Sequence, residues 1–274
     1  MKSLLKPRNI LLFCFGAILI FLFILFYDAF PRVKRFRTMQ DDVKTTENVN
    51  LAGLKDIRAS GGSLPGFPDL QKKLSHIEGP IIIVDAMYDY HGYLLGMPTT
   101  SLAYHQETPL LKHYLRRLLL TGTFDKRLDF ITSESDEAKK YGFDYKAVNI
   151  GSKIGNTYDY IDDVVSFFDS TPPNAWLHFH CRNGRGRTSM LLVMLDIMKN
   201  APHVSLNDII KRQILLGAED LFDVRVWRNG TYTEQALKDR KEFIEQFYIF
   251  ASQRNTGGAQ KWSDWHKAQP TEAL

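Results

Sequence analysis

The chain is 274 residues long, with 44% apolar residues, 24% charged residues and a formal net charge of +4. That length suits one large domain with an appendage and can bury a core without a metal or disulfide staple. The composition is too apolar for general disorder. Two cysteines, Cys14 and Cys181, exclude a disulfide framework and a cysteine-based zinc site.

The charge is unevenly placed. Residues 1–37 carry seven Lys or Arg and one acid, Asp28, whereas the rest carries 28 basic and 30 acidic side chains. The basic balance therefore belongs to the N-terminus, and the remainder is no polycation. This argues against nucleic acid as a partner. Ile10 to Tyr27 is a run of 18 residues without a charge. It is longer than the roughly 7–15-residue core of a cleaved signal, and Phe26-Tyr27-Asp28-Ala29-Phe30 offers no good cleavage site. Residues 1–37 are expected to be a signal anchor with basic flanks, a cleaved signal peptide being the alternative. Either implies export: anchored and facing outside the cytoplasm, or secreted or periplasmic after cleavage. Residues 38–50 are polar and mixed in charge and are expected to be a tether.

A globular pattern begins near Leu51. Gly61-Gly62-Ser63-Leu64-Pro65 reads as a turn cluster, Asp69–His76 as a short helix, and Pro80–Asp85 as a buried strand. Gly92–Leu102 suggests irregular β structure. Leu110–Leu120 reads as a helix whose stripe of Lys112, His113, Arg116 and Arg117 is expected to face solvent. Leu128–Thr132 and Tyr145–Ile150 are candidate strands, and Tyr160–Phe168 a candidate amphipathic helix. Trp176–His180 is a strand running into Cys181, and Thr188–Met198 an apolar helix. Ser205 caps a helix that Gly217 stops, and Thr233–Gln253 is a long closing helix. Alternating strands and helices imply an α/β fold.

The informative segment is His180-Cys181-Arg182-Asn183-Gly184-Arg185-Gly186-Arg187-Thr188-Ser189. A strand ends at Cys181, five residues follow, and Arg187 opens an apolar helix. Loop N–H groups and a helix N-terminus then converge on one point, which suits a tetrahedral oxyanion. The same field favours a thiolate, so the Cys181 pKa is expected to fall. Gly184 and Gly186 allow close backbone approach. Arg187 can hold two phosphate oxygens, and Thr188 can hydrogen-bond the sulfur or an attacking water.

This Cys-x5-Arg-Thr loop resembles the phosphate loop of the cysteine-dependent protein tyrosine phosphatase superfamily. Trp176-Leu177-His178-Phe179-His180-Cys181 with Gly186-Arg187-Thr188 is similar to the bacterial tyrosine-phosphatase-like inositol polyphosphatases, the cysteine phytases. Asp85 with His91-Gly92-Tyr93, Arg212-Gln213, Ile244-Glu245-Gln246-Phe247-Tyr248 and Trp262-Ser263-x-Trp265 extend the likeness over roughly residues 50–270. It implies a protein tyrosine phosphatase-like α/β fold: a central mixed sheet flanked by helices, with a small partial β-barrel insertion. Residues 51–274 would be the phosphatase-like domain, the insertion lying within about 90–135. Cys181 would be the nucleophile, with Arg187, Thr188 and His180 in the catalytic machinery. Arg182, Asn183, Gly184, Arg185, Gly186 and Lys153 would bind substrate. The expected partner is a phosphorylated small molecule or lipid headgroup, with no cofactor, no metal, and membrane contact through the N-terminus. His178 is expected to be a core histidine, and Trp262 and Trp265 to pack the tail.

Two positions depart from the family. Its Asp general acid aligns with Ser152 and the following His with Lys153, and residues 145–158 contain no Asp or Glu. Met87 and Asp89 stand where the family has Arg and Glu. A missing general acid costs about 10²–10⁴-fold when the leaving group is a poor alcohol. A weak enzyme, a phosphate-binding pseudoenzyme and a protein tyrosine phosphatase therefore remain alternatives.

Overall fold

The computed structural model describes residues 7–87, 90–104, 106, 108–148, 150, 158–226 and 232–269. The uncharged run forms α1 (Pro7–Phe26), on which only Leu25 is buried. Among the described residues it is the one helix long and apolar enough to cross a membrane. Of the stretch 38–50 expected to be a tether, Thr38 and Met39 are buried, whereas 40–50 are exposed or half-buried and carry no helix or strand. Arg37–Thr38 is strand β1, paired antiparallel with β2 (Ala59–Ser63). Val33, Met39, Leu54 and Ile57 are buried. Isolated apolar residues in a polar stretch give no periodic signal, yet each of these packs into the domain.

The glycine cluster that reads as a turn is β2, a wholly buried strand. A Cβ on Gly61 would lie 2.7 Å from the Thr188 side chain and 2.8 Å from that of Leu192. The glycine is there so that the helix carrying those residues can sit on the sheet. Then come α2 (Phe67–Leu74), β3 (Ile81–Asp85), the hairpin β4 (Tyr93–Leu94) and β5 (Met97–Pro98), α3 (Leu111–Thr121) and α4 (Glu134–Lys140). They are followed by β6 (Asp144–Ala147), α5 (Tyr158–Ser170), β7 (Trp176–Cys181), α6 (Gly186–Asn200), α7 (Leu206–Leu215), α8 (Glu234–Asn255) and α9 (Trp262–Lys267).

The main sheet has the order β1-β2-β7-β3-β6, parallel except at β1, so it is mixed. Strand periodicity divides its side chains between two layers. Leu177, Phe179 and Cys181 face the larger core with α5 to α9, whereas Trp176 and Ile83 join Phe67, Leu70 and Phe143 on the opposite side. Trp262 and Trp265 pack edge-on or tilted against Phe243, Phe247 and Phe250 in the larger core. Arg212 of α7 is buried against Asp196 of α6 and donates to the carbonyls of Asn50 and Ala52. The central sheet flanked by helices is the fold the resemblance implies.

The insertion is slighter than a partial barrel among the described residues. It comprises the β4–β5 hairpin, a single bridge from Tyr93 to Thr132, and α3. Leu128–Thr132 does not form a strand; Leu128–Phe130 is a 3-10 turn. The basic stripe of α3 also differs from expectation, since His113, Arg116 and Arg117 are buried. Arg116 donates to the carbonyls of Leu25 and Ser101, each at 2.8 Å, and pairs with Asp28, as does Lys112. The orphan carbonyl at the end of α1 supplies this stripe with a buried acceptor that periodicity alone does not reveal.

Candidate active site

Strand β7 lies between β2 and β3, with Cys181 opposite Ser63 and His180 opposite Asp85. Because successive strand residues point to opposite faces, the thiol and the preceding imidazole leave the sheet in opposite directions. Cys181 is buried under the start of α6. The Thr188 hydroxyl lies 3.2 Å from its Sγ and 3.3 Å from the Gly62 carbonyl. Burial alone would push the thiol pKa up. The Thr188 hydroxyl and N–H, the Asn183 N–H and the Arg187 charge outweigh it, so the pKa falls.

The loop's side chains divide into several groups. Arg182 and Asn183 are exposed at its rim. Gly184 is buried with φ +67°, and a Cβ there would come within 2.5 Å of the Gly62 backbone. Arg185 makes a two-point ion pair with Glu219 at 2.7 and 2.9 Å, so part of its fork is already engaged. Gly186 opens α6. Arg187 donates one Nη to the Ala86 carbonyl at 2.8 Å. That bond holds the guanidinium across the mouth of the loop and leaves other N–H groups for phosphate. Met87 donates its backbone N–H to Asp85 at 2.7 Å. Ser152, Lys153 and Asp89 lie outside the described residues.

Behind Cys181 sits a buried charge cluster. His91 Nε2 lies 2.5 Å from Glu134 and 3.2 Å from Asp85, and His180 Nε2 lies 3.2 Å from Glu134 and 3.7 Å from Asp85. Tyr145 donates to Asp85 at 2.7 Å. Burial works against the charged imidazole of His91, but its hydrogen bonds to Asp85 and Glu134 raise its pKa to about 11. His180 is likewise raised by Glu134 and Asp85 against burial. Burial opposes ionisation of Asp85, yet His91, His180 and Tyr145 hold it at about 2. Asp85, Glu134 and His180 are close enough together to hold a metal. His91 sits within reach of both carboxylates, and its raised pKa sets an imidazolium against their charge. By contrast, burial pushes the His178 pKa down; its Nδ1 is 2.9 Å from the Ser60 hydroxyl.

Three participants escape the sequence reading. Glu134 opens α4 after the Ser133 cap and shows only as an acid in a first helical turn. Arg35 and Arg37 read as flanks of the apolar segment. In the fold, Arg35 donates to the Asn183 carbonyl at 3.0 Å. Arg37 is buried, donating to the Gly184 carbonyl at 3.1 Å and the Ser189 hydroxyl at 2.9 Å. Burial lowers its pKa to about 10, with the Cys181 charge acting in the opposite direction.

Comparison with known proteins places this geometry. A family model described as PTP-like phytase, inositol hexakisphosphate, matches residues 105–199. The effector protein hopD2 of Pseudomonas syringae pv. tomato is 23% identical over 267 residues, covering 84% of this chain and 56% of that protein. The uncharacterized protein AvrBs1.1 of Xanthomonas campestris pv. campestris is 36% identical over 89 residues, 32% of this chain and 86% of that protein. The tandemly repeated tyrosine phosphatase-like phytase of Mitsuokella multacida superposes with a TM-score of 0.67 at 25% identity, over 86% of this chain and 47% of that one. The myo-inositol phosphatase of the same organism, in complex with myo-inositol-(1,3,4,5)-tetrakisphosphate, gives 0.65 at 24% identity, over 86% and 47%. The chain thus spans about half the length of the first relatives it matches. With the Cys181–Arg187 loop seated between strand and helix in the shared fold, the chain belongs to the family of protein-tyrosine-phosphatase-like phytases.

Proposed function

We propose that the protein is a cysteine-dependent phosphomonoesterase acting on inositol polyphosphates or phosphoinositides, exported and held at a membrane by α1. The observation that carries this reading is the Cys181 thiol, its pKa lowered by Thr188, Asn183 and Arg187 at the start of α6. Cys181 attacks phosphorus in line, forming the S–P bond as the P–O bond to the leaving alcohol breaks. The loop N–H groups and Arg187 stabilise charge on the equatorial oxygens. Water then cleaves the S–P bond, oriented by Thr188. Arg182 and Lys153 bind further phosphates of the substrate. The neighbour's inositol tetrakisphosphate supports this substrate class.

Phosphate release from inositol hexakisphosphate and from a phosphoinositide tests the reading. Cys181→Ser should abolish turnover while keeping anion binding, because the loop N–H groups remain. Arg187→Lys should also be severe, since an ammonium cannot reproduce a bidentate contact. Undiminished turnover by Cys181→Ser would end the proposal.

A second reading rests on the lack of any acid between Tyr145 and Tyr158. The enzyme then lacks a proton donor for alkoxide leaving groups and acts as a weak phosphatase or as a binder. Turnover should rise steeply as the leaving group becomes more acidic, and Ser152→Asp should raise activity on alkyl phosphates more than on activated aryl phosphates. Fast wild-type turnover of inositol phosphates, unchanged by Ser152→Asp, would exclude it.

A further inference from the structure

Helix α3 is built inside out. In a helix packed on a water-soluble domain, the apolar stripe faces the core and the charges face solvent. Here Arg116 and Arg117 are 1% and 3% exposed, whereas Leu110, Leu111 and Leu119 are 63%, 73% and 54% exposed. Leu111, Leu115 and Leu118 follow the i, i+4, i+7 spacing of one helical face, and none of them is buried. The arrangement is not a lapse of packing at Arg116, whose three guanidinium nitrogens are all engaged. Arg116 reaches the carbonyls of Leu25 and Ser101 and the carboxylate of Asp28, and Arg117 lies over the Tyr114 ring at 4.8 Å. Beyond the helix, Phe124, Leu128 and Phe130 are exposed as well, Phe124 against the Tyr114 ring of α3. Arg127 lies over the Phe130 ring at 4.4 Å, as a cation does when its stem covers apolar surface and its head stays in water.

What covers this face follows from where it sits. The inward side of α3 grips the C-terminal end of α1, an exposed apolar helix long enough to cross a bilayer. We propose that the outward leucine face of α3, with Phe124, Leu128 and Phe130, lies in the interfacial layer of the bilayer that α1 enters, so that the domain rests on the membrane. An amphipathic helix in that position sinks about 5–10 Å into the headgroup boundary. The proposal rests on the membrane-anchor part of the reading above and is independent of the chemistry at Cys181.

The test uses the full chain in phosphatidylcholine–phosphatidylserine vesicles. With Cys14→Ser and Cys181→Ser, a nitroxide is attached in turn through Leu111→Cys, Leu119→Cys, Ile18→Cys in α1 and Glu245→Cys in α8. Collisions with oxygen and with a water-soluble nickel chelate are then measured. Labels at 111 and 119 should lose nickel collisions and gain oxygen collisions as the label at 18 does, while 245 stays open to nickel. Protection at 18 with 111 and 119 behaving as 245 would overturn the docking and leave the anchor intact. Exposure to nickel at 18 as well would overturn both. Dipolar broadening between labels at 119 would mean that a second copy of the chain covers the face, and that too would overturn the proposal.

Discussion

Replacing Arg37 removes a buried cation that donates to the phosphate loop at Gly184 and to Ser189. A hydrogen bond to a charged group contributes about 1.5–3 kcal/mol, so Arg37→Gln should lower kcat/KM by roughly 10- to 100-fold. The loss of positive charge near Cys181 also raises the thiol pKa, so the acid limb of the pH–rate profile should move to higher pH. Arg37→Lys keeps the charge and should return the limb while recovering only part of the rate. A rate loss with no movement of the limb would mean that Arg37 acts on loop shape alone. The sequence carries no sign of this role, because Arg37 stands in a basic flank and its partners in the loop and α6, the Gly184 carbonyl and the Ser189 hydroxyl, lie 147 and 152 residues away. Cys181, Arg187 and Thr188 were readable because their chemistry is packed into eight consecutive residues between a strand and a helix.

The cluster of His91, Asp85, Glu134 and His180 couples strand β3, helix α4 and strand β7 through charge. Its pH dependence follows from the shifts. His91 is raised from 6.5 to about 11, so its contribution is fully present below 6.5 and is lost as pH rises through about 11. Asp85 is depressed from 3.8 to about 2, so its contribution is present above 3.8 and is lost as pH falls through about 2. Urea unfolding should show the cluster's stabilisation at its greatest between those two reference values and declining on both sides. His91→Gln should flatten the alkaline decline; an unchanged slope would show that the imidazole is not charged in the fold. Elements with a clean period or cap were legible: β3, β7, α6, and α7 and α8 with their Ser205 and Thr233 caps. Elements set by distant contacts were not. Strand β2 consists of small residues because α6 and the loop press against it, and glycine reads as a turn wherever its neighbours are unknown. The α3 stripe reads as solvated because its acceptors, at Leu25, Asp28 and Ser101, lie outside the helix.

For the whole molecule, the boundary of the folded unit lies further toward the N-terminus than composition suggests. A chain beginning at Asp41 would lose β1, Val33, Met39 and Arg37 together. Loss of the buried Met39 alone corresponds to about 2–5 kcal/mol. A chain beginning at Asp28 keeps all four. Thermal unfolding should therefore show the Asp28 form close to full length and the Asp41 form melting much lower; equal melting temperatures would refute the boundary. The same segment also fixes a distance. Asp28 is gripped by Lys112 and Arg116 on α3, and seven residues later Arg35 bonds the carbonyl of Asn183 in the phosphate loop. Seven residues span at most about 25 Å even when fully extended. With α1 in a bilayer, Cys181 is leashed within one protein radius of the headgroups. Encounter with a lipid-borne substrate becomes a search in two dimensions. Turnover should then follow the mole fraction of that lipid in the surface, falling when inert lipid dilutes it even though its bulk concentration is held constant.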